Sequence, residues 1–595
     1  GRQQAVQQWL LARVQEGMRI AMVDDFGWAP DAAWASALGL EMSAAADGAG
    51  PWRLRHQHAM MGFEMALPEP GRDFVPIGLG VVGAASVTPL VEVDDAQGRV
   101  RVAGALMPWG GFLMSPFWLG QAPGLEQPRW LVDPFAFLTQ ALQLPPIPAP
   151  DVTTENGRRL LMAHIDGDGF PSRAERAGAP WAGEVLRKEV LEAYRIPHAF
   201  SVIEAEVAPD GLHPQDSPQL EELARRIFQL PHVELATHSY SHPFLWDATA
   251  LHGAFLDDAK RDYRLPVPGY QFDLKREIVG SADYINRRLA PPGKTVRMMF
   301  WTGDTAPGAD ALAVADAAGL LNLNGDDTFI SRQYPSLTAV RGLGIVKGGH
   351  LQVYAPVTNE NIYTNLWQGP FYGFERVIET YEMTERPRRL KPVGIYYHSY
   401  SATKRASLQA LHKVYRWALA QPLSPVYPSE YIRKVQDFHA YALAWDGQGW
   451  RVSGAGDLRT LRLPPSLGVP VLAGSSAVAG YRDGAEGTYV HLSGGRAAFQ
   501  TQPASALSGA GRPFLREANA RLTDWQVSAD GARTTFTLQG HVPLRFSLAG
   551  VAGCESRADQ RPLSSSRPAS PARSDVRSFE LPDAVAHIQI LCPSR

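Results

Sequence analysis

Between residues 158 and 438 short apolar runs alternate with longer stretches of helical spacing. The runs 160–165, 199–203, 233–236, 298–301, 320–323 and 393–397 have strand length, while 181–194, 217–230, 273–289 and 402–420 repeat apolar residues at intervals of three and four. This alternation predicts parallel strands joined by crossover helices, in a barrel-like (β/α) arrangement or an open sheet. In either form, side chains just past the carboxyl ends of the strands converge on one face, and chemistry is to be sought there.

The flanks read differently. Residues 4–16 have helical spacing, 19–23 reads as a buried strand, and 90–93 with 100–106 as a hairpin, so the N-terminal flank is mixed α/β. After about residue 440, short alternating runs at 442–445, 450–453, 488–492, 534–538 and 544–548, separated by glycine turns, predict a β-sandwich. Residues 556–574, with scattered Arg, Ser and Pro, read as a loop. The segment Leu144-Pro-Pro-Ile-Pro-Ala-Pro150 favours an extended connector. The expected domains are therefore 1–150, 151–440 and 441–595.

Composition narrows the classes of function. The 595 residues are 45% hydrophobic and 20% charged, which excludes disordered, collagen-like and coiled-coil chains. A net charge of -3 argues against nucleic acid as partner. No apolar run is long enough for a transmembrane segment, and the chain opens at Gly1 with neither initiator Met nor signal peptide, as a processed or excised piece would. Cys554 and Cys592 are the only cysteines, so a Cys-rich metal site is excluded, and they read equally as one disulfide or two buried thiols. Any metal must take His and carboxylate ligands.

Three predicted strand ends carry suitable groups. The first is Asp166-Gly167-Asp168-Gly169, two carboxylates on a glycine turn. A calcium loop starting at Asp166 would put Phe170 and Ala177 where oxygen ligands are needed. The second is Thr237-His238-Ser-Tyr-Ser-His242-Pro243, and the third is Tyr397-His398. Two imidazoles and one carboxylate make a three-ligand zinc set with an open position, as in catalytic sites, leaving the other aspartate as a base and His398 to protonate a leaving group. Gly78-Leu-Gly80-Val-Val-Gly83 matches a dinucleotide fingerprint, but β-branched residues and Pro89 follow where a helix should begin, so that reading is set aside.

This order of motifs resembles the polysaccharide deacetylases of carbohydrate esterase family 4. The resemblance implies Asp168, His238 and His242 as ligands of a divalent metal, zinc foremost, with Asp166 as general base and His398 as general acid. It departs from the family where Gly167 separates the aspartates and where Met299 replaces the proline of an Arg-aromatic groove motif, Arg297-Met-Met-Phe300-Trp301. Asp326-Asp327 is the candidate for the carboxylate that orients the catalytic histidine. The separated aspartates, the His238–His242 run and Trp301-Thr-Gly-Asp304 are closest to the deacetylases of Pel-type exopolysaccharide synthesis, which carry an additional N-terminal glycoside hydrolase domain.

The resemblance implies N-deacetylation of an acetylated hexosamine polysaccharide in biofilm matrix, a periplasmic or secreted setting, and exopolysaccharide export proteins as partners. Residues 359–367, with Phe371 and Tyr372, offer stacking and hydrogen bonds to sugars. Three alternatives compete. A glycosidase needs carboxylates on opposite faces of a bond, which two residues on one turn do not provide. A metalloprotease lacks its His-Glu-x-x-His. The third is an inactive polysaccharide-binding or assembly protein.

Overall fold

The computed structural model describes residues 2–27, 32–42, 52–71, 74–79, 86–121, 124, 127–246, 265–484, 486–506, 512–566 and 575–593. The chain divides into two compact units, one comprising residues 1–146 with 332–340, the other the remainder.

The first unit is built on a seven-stranded mixed sheet. Ile20–Asp24 runs parallel to Gly110–Met114, and Thr88–Asp94 pairs antiparallel with Val100–Met107, the hairpin expected from the alternation. Helix Pro134–Ala141 is capped by the Asp133 side chain, which accepts from the N–H groups of Phe135 and Ala136. Residues 332–340 join this unit through Glu64, whose carboxylate accepts from Ser336 Oγ at 2.6 Å and the Leu337 N–H at 2.7 Å. Of the glycine fingerprint, Gly78 lies in strand Ile77–Leu79, and Gly80 and Gly83 lie outside the described residues.

The second unit contains a curled, barrel-like α/β sheet. Besides a two-residue antiparallel edge, Thr154–Glu155, its strands are β1 (Arg158–Asp166), β2 (His198–Val202), β3 (Val233–Thr237), β4 (Val296–Phe300), β5 (Leu321–Leu323), β6 (Val393–His398) and β7 (Leu423–Pro425), seven that share one direction. They are mutually parallel, in the order β5-β4-β3-β2-β1, with β6 pairing along the second half of β1 and β7 along its start. Parallel strands buried on both faces read as continuous apolar runs, which is why these segments are visible without alternation.

Successive residues of β1 serve different cores. Leu161, Ala163 and Ile165 join the layer of outer helices, whereas Leu160 and Met162 face Tyr431, Ile432 and Val435 of helix Pro428–Ala440. That helix fills the sheet's other face, so the barrel is an open half rather than a closed ring packed by its own strands. The polar residues His164 and Asp166 continue the register of Leu160 and Met162, which carries them to the carboxyl end of this inner face.

Two expected helices are interrupted. Residues 181–194 form Ala182–Leu186 followed by a π turn, Arg187–Leu191, and residues 273–289 form a π turn, Arg276–Gly280, followed by Ser281–Arg288.

Beyond the half-barrel, a seven-stranded sheet is covered by a four-stranded and a five-stranded sheet. The expected sandwich is therefore two sandwiches sharing one long sheet. The proline-rich connector supplies that sheet's edge, with Ala149 and Pro150 opposite Arg462 and Leu461. Within 556–574, residues of strands Glu555–Ala558 and Arg561–Pro562 correct the loop expectation, and 567–574 lie outside the described residues. Cys554 and Cys592 are disulfide-bonded. Asp437, on helix Pro428–Ala440, accepts from four successive backbone N–H groups, Ala455 to Leu458, at 2.6–3.0 Å, and so fixes the helix to the following sheet. Among the described residues no helix is long and apolar enough to cross a membrane.

Candidate metal and acid–base site

Three strand ends meet at the carboxyl side of the sheet. Asp166 closes β1, His398 closes β6 directly opposite it in register, and Thr237 closes β3 just before His238. The glycine between the aspartates has a steric cause. A Cβ at Gly167 would lie 2.9 Å from the backbone of Val202 and Ile203, so only glycine lets β1 turn this close to the end of β2.

Asp168 sits between the two histidines. Its Oδ2 is 2.9 Å from His238 Nε2 and its Oδ1 is 2.8 Å from His242 Nε2. One possible donor atom from each of these three residues lies within 4.8 Å of the other two, and the same holds for Asp166, Asp168 and His398. One carboxylate and two imidazoles suit a divalent transition ion, and Asp168 Oδ2, covered from solvent, makes no hydrogen bond of good geometry although His238 Nε2 lies 2.9 Å away. The residues therefore fit the group that their chemistry implies. Burial would raise Asp168, but the His242 and His238 rings outweigh it and hold the carboxyl well below the usual range.

The loop carrying the histidines is held by a buried acid. Glu277, from the π turn, accepts from the backbone N–H groups of Tyr240 at 2.9 Å and Ser241 at 2.8 Å, from Ser241 Oγ at 2.5 Å and from the Tyr270 hydroxyl at 2.8 Å. Ser239 and His242 have φ of 64° and 53°, outside helical or extended backbone, and this anchoring keeps them there.

Asp166 is 1% exposed. Its Oδ2 accepts from the Tyr396 hydroxyl at 2.8 Å and from Asn324 Nδ2 at 3.0 Å, while its Oδ1 has no hydrogen-bond partner. Asn324 in turn lies 3.1 Å from Nε2 of His164, a ring stacked on Tyr396. Burial drives His164 down to about 3, so it is neutral, and its Nε2–H donates to Asn324 Oδ1, leaving the amide nitrogen for Asp166. Burial, first of all, raises Asp166 itself.

His398 Nε2 is 3.9 Å from Asp166 Oδ2. Its Nδ1 lies 3.1 Å from both oxygens of Glu360, which also accepts from the His398 N–H at 3.0 Å and from Ser401 Oγ at 2.8 Å. Burial would lower this imidazole, but Glu360 and then Asp168 outweigh it and push it up to about 10.

The sequence candidates thus divide. Asp166, Asp168, His238, His242 and His398 are brought together. Trp301 is fully buried behind them, its Nε1 donating to Asn322 Oδ1 at 3.1 Å and its ring packed edge-on against Trp246. Asp304 shapes the following loop, accepting from the Ala306 N–H. Arg297 corrects the groove expectation: it is the second residue of β4, at the strand's opposite end, and lines a cleft with Glu234, Tyr427 and Arg433. The carboxylate that lies against His398 Nδ1 is that of Glu360, and neither Asp326 nor Asp327 takes that place. Asp326 pairs with Arg341 in solvent, and Asp327 is held well above the usual range by burial and by the charge of Asp166.

Asn324, Tyr396, Glu277 and Glu206 are not among the sequence candidates, and Glu360 is there only within the sugar-contact run 359–367, not as the partner of His398. Asn324 follows β5 directly, so the strand-end rule could have found it. Glu206, in a four-residue helix after β2, carried no signal. Burial and the nearby Asp168 charge push it up to about 8, leaving a neutral carboxyl beside the cluster at neutral pH.

No family model and no curated protein matches the chain. Among solved structures, a probable polysaccharide deacetylase from Pseudomonas aeruginosa PAO1 is 11% identical with a TM-score of 0.29, covering 48% of this chain and 92% of that one. Puue allantoinase is 14% identical with a TM-score of 0.31, covering 49% and 95%. A 4-alpha-glucanotransferase from Thermococcus litoralis is 13% identical with a TM-score of 0.31, covering 47% of this chain, which spans only 40% of that enzyme's length. These likenesses are distant, and a functional reading has to stand on the side chains.

Proposed function

We propose that this chain is a metal-dependent N-deacetylase acting on an N-acetylhexosamine exopolysaccharide of the Pel type. The observation that carries the proposal is the meeting of two complementary sets at one sheet end. Asp168, His238 and His242 form a three-donor cluster, and Asp166 and His398 flank it with opposite acid–base character.

A divalent ion held by Asp168, His238 and His242, for which zinc suits the donors, would activate water and polarise an amide carbonyl. The remaining chemistry belongs to the chain. Tyr396 and Asn324 occupy Asp166 Oδ2, so its unpartnered Oδ1 is the atom that takes the proton of the attacking water. Glu360 fixes Nδ1 of His398 and favours its protonated form, so Nε2–H is the donor to the departing amine. The same protonation helps offset the negative charge that develops on the substrate oxygen. Removing acetyl groups leaves free amines, and the polymer becomes cationic.

An extracytoplasmic setting is supported by the Cys554–Cys592 disulfide, which persists in oxidising compartments. The decisive experiment is acetate release from an acetylated hexosamine oligomer by metal-loaded protein, chelated protein and His242→Ala. Release that needs metal and is lost in the variant is expected. A tightly bound metal with no release from any such oligomer would sink the proposal and point to a binding or assembly role.

A further inference from the structure

The chain between residues 359 and 372 begins at the catalytic centre and ends in solvent. Asn359 caps the short turn Glu360–Tyr363 by accepting from the Asn361 N–H, and Glu360 ties that turn to His398. Further along, three successive non-glycine residues, Asn365, Leu366 and Trp367, hold φ of 50°, 50° and 62°. Left-handed backbone is unfavourable for a bulky residue and persists only where its surroundings impose it. Here the Leu366 N–H donates to the Asn361 carbonyl at 2.9 Å, the Trp367 N–H to Thr364 Oγ1 at 3.3 Å and the Gly369 N–H to the Thr364 carbonyl at 2.8 Å.

The turn does not serve burial. Leu366 is 73% exposed, and Ile362 and Tyr372 are 52% and 55% exposed. A strained turn that lifts an apolar side chain into water beside a reaction centre serves something that arrives from solvent.

The rings behind that tip form a connected series. Tyr400 lies parallel to the His398 imidazole, 4.9 Å away at 7°, and its hydroxyl donates to Asn361 Oδ1 at 2.9 Å. Trp367 packs against Tyr400 at 4.6 Å and against Phe371 at 5.1 Å. A pyranose ring has apolar C–H faces rimmed by hydroxyls, so it seats on an aromatic face while nearby amides take the hydroxyls. The exposed Asn365 and Gln368 flank Trp367 and supply those amides.

We propose that residues 359–372 form a saccharide platform, with Trp367 as its floor and Leu366 as its lip. It seats the sugar next to the one whose acetyl group reaches Asp166 and His398, and it makes the enzyme select polymer chains over single sugars. This rests on the deacetylase reading and adds where the chain lies and what sets length preference.

The test has two arms. The first measures kcat/KM for an acetylated hexosamine tetramer relative to the acetylated monosaccharide, in wild type, Trp367→Ala, Trp367→Phe and Leu366→Ala. The tetramer-to-monosaccharide ratio is expected to fall about tenfold in Trp367→Ala, severalfold in Leu366→Ala, and to recover largely in Trp367→Phe, which keeps a flat ring. The second arm titrates a fully deacetylated tetramer into chelated protein, where Trp367→Ala should weaken binding by a similar factor. Equal losses on tetramer and monosaccharide would assign Trp367 a structural role and overturn the platform, as would an unchanged ratio with unchanged affinity. Absence of acetate release from the wild type would sink the deacetylase reading alone, because the binding arm still reports on the platform.

Discussion

Glu360 presents both carboxylate oxygens to Nδ1 of His398 at 3.1 Å, and a third contact, from the His398 N–H, fixes the backbone that carries the ring. The pair is buried, so the Glu360 carboxylate acts on the His398 ring with little screening. Burial alone would favour a neutral imidazole, and Glu360 reverses that preference.

Replacing Glu360 by Gln keeps the shape and removes the charge, so the His398 imidazole falls back towards the range that burial dictates. We expect kcat to drop by about tenfold to a hundredfold and the alkaline limb of the rate profile to move to lower pH. The stability consequence can be read in chelated protein. A histidine raised in the folded state to about 10 contributes stability that is full below its unfolded value, about 6.5, and is lost as pH rises through about 10. Thermal unfolding of wild type and Glu360→Gln should therefore differ most at pH 6 and converge towards pH 10. A gap independent of pH would mean that Glu360 acts only through Ser401 and the backbone.

Glu277 touches no ligand ring, yet all four hydrogen bonds it accepts come from the histidine loop or from Tyr270. In Glu277→Gln the new amide donors face the N–H groups of Tyr240 and Ser241, and in Glu277→Ala those groups are buried without an acceptor. Either change should lower metal affinity by about 10–100-fold, as loss of an outer supporting contact commonly does, while the three donors remain. Competition with a chromophoric chelator measures this. Unaltered affinity would show that the strained loop holds its form without Glu277.

What was legible in the sequence follows from distance along the chain. The strand ends at Asp166, His238 and His398 could be read because a parallel sheet delivers strand ends to one face whatever the strand order. Asn324 follows β5 and obeys the same rule, but which partner serves which residue could not be read. Tyr396 reaches Asp166 across 230 positions and Asn324 across 158, and which strands lie beside β1 is decided by tertiary packing that apolar spacing does not encode. Glu277 was hidden for another reason. The apolar spacing of residues 273–289 reads as one regular helix, whereas a π turn at Arg276–Gly280 begins it, and Glu277 lies in that turn. Helix Pro428–Ala440 likewise fills the inner face of the half-barrel, a place that a closed barrel would have packed with strand side chains.

Metal binding should stabilise the folded chain in proportion to occupancy. At a free zinc concentration of about 100 times the dissociation constant the gain is about 2.7 kcal/mol, seen as a rise in the unfolding midpoint. His238→Ala, His242→Ala and Asp168→Asn should each abolish most of that rise, because each removes one of the three clustered donors. Arg297→Ala, at the far end of β4, should retain it. A midpoint that rises equally in all four variants would place the ion elsewhere.

The disulfide offers a test of the C-terminal sheets that leaves the reaction centre untouched. Cys554 precedes strand Glu555–Ala558 and Cys592 follows Val585–Leu591, and these strands pair antiparallel with Glu555 opposite Leu591. The bond closes a loop of 38 residues, for which chain entropy predicts about 4 kcal/mol of stabilisation through the unfolded state. Cys554→Ser with Cys592→Ser should therefore lower the unfolding midpoint of the sandwich packed on Phe536, Phe546 and Ile588. Zinc affinity should be unchanged, because every metal donor lies between Asp168 and His242. Reductant should lower the wild-type midpoint to that of the variant and leave the variant unmoved. If reductant and substitution both leave the midpoint in place, the strand pairing alone holds this edge, and the disulfide no longer supports an oxidising compartment.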